Sequence, residues 1–105
     1  MQGEGDALVQ SQANRYEANL TNLVDDVRSR YGADMDFVIG RLHDELPNGY
    51  VSDGRVRDAQ RAVANADAKN YWVNTDGLEV GGDHVHFTSS GHLALGEAFA
   101  NILLD

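Results

Sequence analysis

Residues 81–92 read GGDHVHFTSSGH, with Asp83 three positions ahead of His86. At that separation a turn lets the carboxylate take one imidazole nitrogen as its hydrogen-bond partner. Such a contact fixes the tautomer of His86 and leaves the other nitrogen free to act as a general base. Two other readings stay open: a loop end followed by a polar residue at a helix start, or a metal site in which Asp83, His84 and His86 converge. The metal site needs an extended segment, which Gly81 and Gly82 disfavour. A second stretch, QGEGD at residues 2–6, has glycines that can turn backbone N–H groups toward an oxyanion, and the Gln2 amide adds a side-chain donor. Those are the requirements of an oxyanion hole, although ordinary capping ahead of a helix explains the same residues.

The elements that must position these groups follow from hydrophobic periodicity. From Val9, the residues Ala13, Tyr16, Leu20, Leu23, Val24, Val27 and Tyr31 recur at steps of three and four, the stripe of an amphipathic helix, and Gly32 follows as a left-handed cap. MDFVIGRL, residues 35–42, reads as a buried strand, and HDELPNGYVSDG as a loop. Ser52 or Asp53 caps a helix over 54–69, with Val56, Ala59, Val63 and Ala66 on one face. YWVNT, residues 71–75, is a second strand, and a last helix starts at Thr88 or Ser89 and carries Leu93, Leu95, Phe99, Ile102 and Leu103. Alternating helices and strands predict an α/β fold with parallel strands joined by right-handed crossovers, in a single domain over residues 1–105.

In such sheets functional groups gather at the C-terminal ends of the strands. Residues 2–4, Arg41 to Asp44, and Asp76 to His86 therefore share one rim. Two strands do not make a parallel sheet covered on both faces, since three or more are normally required. The sheet is therefore expected to be completed by a second copy of the chain or by further parts of a larger fold.

In order and spacing, QGEGDA, FVIGRL, RDAQ (57–60), NTDGL and DHVHFTSSGHLALGEAFA together resemble the C-terminal half of the SGNH (GDSL-type) hydrolases. The likeness is nearest to the branch of sialate O-acetylesterases and acetylxylan esterases, and it spans essentially the whole chain. The resemblance implies a three-layer α/β/α fold, here truncated, and a Ser-His-Asp triad whose base and acid match His86 and Asp83. It places Gln2 and Gly3 in the block lining the oxyanion hole, with Glu4 and Asp6 as acidic positions that hold that loop. Arg57 and Gln60 match a recurrent R-x-x-Q with a structural role. The family's nucleophilic serine belongs to a block ahead of the QGE block, so it is expected to lie before residue 1. None of Ser11, Ser29, Ser52, Ser89 or Ser90 stands in that context.

Composition narrows the partners. Among 105 residues, 17 acidic and 8 basic side chains give a formal net charge of -9, which argues against nucleic acid or an anionic membrane. No cysteine is present, so disulfides, zinc–thiolate sites and a cysteine nucleophile are excluded. No apolar run approaches the ~18 residues of a membrane span, and the N-terminus lacks signal-peptide regions. The expectation is an ester hydrolase acting on a carbohydrate or small ester, needing neither metal nor cofactor, with His86 activating water or a nucleophile from a partner chain. Its alternative is a weak or inactive fragment of an SGNH esterase that persists as a homo-oligomer.

Overall fold

The computed structural model describes residues 3–104. Its elements are α1 (Glu4–Ala7), α2 (Gln10–Tyr31), β1 (Phe37–Gly40), α3 (Asp53–Asn65), β2 (Asn70–Val73) and α4 (Ser89–Leu104). β1 and β2 are parallel, with Phe37 opposite Asn70 and Gly40 opposite Val73. The α/β reading with parallel strands therefore holds for a two-stranded sheet. No helix among the described residues is long and apolar enough to cross a membrane.

The core lies between α2, α3 and one face of the sheet. Ala13, Tyr16, Leu20 and Val24 of α2 meet Val56, Ala59 and Val63 of α3, with Ile39 and Leu42 beneath them. The buried stripe of α2 is narrower than its sequence periodicity, because Val9, Leu23 and Tyr31 are exposed. Gly32 ends the helix at φ +143°, outside the left-handed helical region that was expected, and its N–H donates to the Arg28 carbonyl.

Both strands are shorter than the stretches 35–42 and 71–75 that the sequence suggests. Asn74 leaves β2 to accept hydrogen bonds from the Arg41 guanidinium (2.8 Å) and the Asp76 N–H (2.9 Å). Met35 and Asp36 stay outside β1, exposed to water. α3 stops at Asn65, short of residue 69, because the Asp67 carboxylate takes the Lys69 N–H at 2.8 Å and turns the chain into β2. Within α3, Gln60 does what its fully buried position demands: Oε1 accepts the Leu42 N–H at 2.7 Å and Nε2 donates to the Tyr16 hydroxyl at 3.1 Å.

α4 lies against both strands yet leaves much of its apolar surface uncovered. Leu93, Leu103 and Leu104 are more than half exposed, and only Gly91 is buried. Of the apolar residues that the sequence places on this helix, Leu93 and Leu103 are exposed, while Leu95, Phe99 and Ile102 are half-buried.

Candidate active site

The dyad is built by a short closed loop. Asp83 Oδ1 accepts the N–H groups of Val85 (2.9 Å) and His86 (3.0 Å), while the Gly81 N–H donates to the His86 carbonyl at 2.8 Å. His84 takes the one positive φ among non-glycine residues described, +58°, which lets the loop turn this tightly. A bridge pairing Val80 with Phe87 closes its base. This folding brings Asp83 Oδ2 to 2.6 Å from His86 Nδ1.

With its Nδ1 proton donated to the carboxylate, His86 keeps Nε2 free to accept a proton, the arrangement required of a general base. The hydrogen bond from His86, aided by the Val85 and His86 N–H groups, holds the Asp83 carboxyl well below the usual carboxylate range. The same bond, and the charge of Asp83, raise His86 above its ordinary value. Both side chains are open to solvent, so the pairing depends on loop geometry and owes nothing to a buried environment.

Three sets of contacts anchor that loop. At its start Asp76 accepts two hydrogen bonds from Arg57 (3.0 and 3.1 Å) and one from Arg41 (2.6 Å). Burial pushes the Asp76 carboxyl up, but Arg57 and Arg41 outweigh it and hold the group below its ordinary value. Next, the Leu78 carbonyl accepts from His43 Nε2 at 3.1 Å. Finally, the Thr88 hydroxyl donates to the Glu79 carboxylate at 2.5 Å and, as N-cap of α4, accepts the Gly91 N–H at 3.1 Å. Gly91 lets α4 approach the Glu79 backbone, since a Cβ there would collide with the Glu79 carbonyl oxygen.

Beside His86 is a concavity of about 210 Å³ lined by Glu4, Val85, His86, Phe87, His92 and Leu95. Of the residues singled out from sequence, His86 and Glu4 line it, Asp83 is bound to His86, and the Glu4 charge adds to the rise in His86. Gly3 is the buried N-cap of α1 at φ +124°, and a Cβ there would meet Val56 and the Tyr16 ring. Gln2 lies outside the described residues. No group of three His, Asp or Glu side chains among the described residues is placed to hold a metal, so Asp83, His84 and His86 do not form such a set.

Arg41 to Asp44 belong to the rim by their place after β1, but their spacing assigns none of them a role. The structure shows Arg41 and His43 buried against the dyad loop. Their signal was a basic residue and a histidine directly after an apolar strand, where a polar side chain reaches the sheet rim.

The family described as carbohydrate esterase, sialic acid-specific acetylesterase, matches residues 1–105. No curated protein and no solved structure matches the chain.

Proposed function

We propose, from the premise that this chain belongs to the sialic acid-specific acetylesterase family of carbohydrate esterases, that Asp83 and His86 are the acid and base of an O-acetyl ester hydrolase of SGNH type. The observation that carries the reading is the 2.6 Å contact between Asp83 Oδ2 and His86 Nδ1, beside a concavity that Glu4 and Phe87 help to line. His86 Nε2 takes the proton of the attacking hydroxyl, which belongs to a water or to a serine brought by another segment or a partner chain. The resulting alkoxide or hydroxide adds to the acetyl carbonyl, and the imidazolium, steadied by Asp83, returns the proton to the departing sugar oxygen; where a serine attacked, His86 then takes a proton from a water that adds to the acetyl-serine, and the proton returns to the serine oxygen as acetate leaves. Gln2 and Gly3 supply donors for the tetrahedral oxyanion.

A second reading is favoured by the apolar surface left open. A groove of about 250 Å³ runs along β1, with Leu20, Leu23, Val38 and Phe99 in its walls, and α4 keeps three leucines in water. A second copy of the chain covers this surface and extends the sheet toward a three-layer α/β/α arrangement, and in that reading the chain is a self-associating fragment with weak or no hydrolysis.

Acetate release from an O-acetylated sialoside by the wild type and His86→Ala, with molar mass measured on the same samples, separates the readings. The esterase reading predicts release that falls by about 10²- to 10⁴-fold in the variant. A stable dimer with no release would support the fragment instead, and a folded monomer would refute self-association.

A further inference from the structure

We infer that His43 is a positioning residue for the Asp83–His86 pair, gripping both ends of the loop that carries it. This rests on the reading of that pair as the acid and base of the site, but its geometry stands independently. His43 is 1% exposed and lies just beyond β1. A buried imidazole must satisfy both nitrogens. Here Nδ1 accepts the Glu45 N–H at 3.0 Å, so the proton sits on Nε2 and is donated to the Leu78 carbonyl at 3.1 Å. The Asp44 carboxylate is 3.7 Å from Nδ1, outside hydrogen-bond distance. One tautomer satisfies both contacts, and it spends its donor on the strand-to-loop connection that leads to Asp83.

The ring serves the other end of the loop. Its edge meets Phe87, the residue after His86, with centroids 5.7 Å apart and planes at 78°. Phe87 in turn meets His92 of α4 edge-on at 5.7 Å and, through its backbone, pairs with Val80. A single buried side chain after β1 therefore fixes the residue that enters the loop and the residue that leaves it. The dyad has no packing of its own, because His86 projects into water. Its carboxylate-to-imidazole distance must be inherited from the base of the loop, and exposed catalytic groups depend on such support.

The test uses the whole chain with His43→Phe, His43→Asn and His43→Gln. Phenylalanine keeps the aromatic edge and loses both hydrogen bonds. Asparagine keeps an acceptor near Nδ1 but cannot reach Leu78. Glutamine restores a donor at the Nε2 position. For each folded variant, the titration midpoint of the His86 imidazole is read by nitrogen-15 NMR, and kcat and KM are read with p-nitrophenyl acetate. In His43→Phe and His43→Asn the His86 midpoint is expected to fall toward the ordinary value of about 6.5. kcat is expected to drop by about tenfold to a hundredfold with KM little changed, and His43→Gln is expected to recover most of both.

A merely structural role would lower the melting temperature and leave the His86 midpoint of the folded molecules in place; that result overturns the inference. If His43→Phe does not fold, His43→Asn decides by the same readout. A wild type that hydrolyses no ester would sink the esterase reading while leaving the NMR comparison intact. An unmoved His86 midpoint in an active enzyme would sink the role of His43 alone.

Discussion

Gln60→Leu is the perturbation whose cost can be worked most directly from the structure. Leucine keeps the helical propensity and nearly the volume of the side chain, so the change acts through the polar contacts of the amide, two of which are hydrogen bonds between described residues. The Leu42 N–H, 2.7 Å from Gln60 Oε1, lies on a fully buried residue and would lose that acceptor. An unsatisfied buried donor costs about 1–3 kcal/mol. The Tyr16 hydroxyl, buried under α3, would lose its bond from Nε2, worth about 1 kcal/mol. The sum, about 2–4 kcal/mol, is a large share of the roughly 5–15 kcal/mol that stabilises a domain. For a chain of this size it corresponds to a fall of roughly 10–25 °C in Tm. Thermal unfolding followed by circular dichroism, with urea midpoints alongside, reads this directly. A variant melting within about 2 °C of the wild type would refute the claim that Gln60 joins α2, α3 and the end of β1.

Gly91→Ala places a Cβ against the Glu79 carbonyl and 3.1 Å from Phe87 Cβ, so an overpacking cost of about 1–3 kcal/mol is expected, together with loss of ester hydrolysis; unchanged melting and turnover would count against the close approach of α4 to the loop. Asp83→Asn removes the carboxylate that raises His86. Because the base works only when unprotonated, the rising limb of the pH–rate profile should move to lower pH, toward about 6.5, while the plateau rate falls. A limb that stays in place would show that Asp83 is not the partner of the titrating base.

The dyad was legible because it is local. Asp83 and His86 are three residues apart, and glycines with an Asp-anchored turn suffice to bring them together. Gln60 was legible as a structural position, but its partners Tyr16 and Leu42 come from α2 and the end of β1, and only the folded register reveals them. His43 escaped for the same reason. It meets Leu78, 35 positions away, once β1 and β2 are aligned so that Phe37 faces Asn70, and no periodicity encodes that pairing.

Periodicity misled where burial depends on what surrounds the helix. Leu23 and Tyr31 continue the stripe of α2, and Leu93 and Leu103 belong to the apolar residues of α4, yet all four are exposed because no described element covers them. The ends of α3 and β2 are set by Asp67 and Asn74, whose short polar side chains capture nearby N–H groups. Apolar patterning does not register that competition.

The pH dependence of acetyl-ester hydrolysis, measured for the wild type beside His86→Ala, tests the central claim most directly. Because Asp83 raises His86, the wild-type rate should climb through an apparent pKa above the ordinary histidine value of about 6.5. In His86→Ala that limb should be gone and the rate reduced by about 10²- to 10⁴-fold. A limb that survives in His86→Ala, or a wild-type rate no greater than buffer, would contradict the assignment of His86 as the catalytic base.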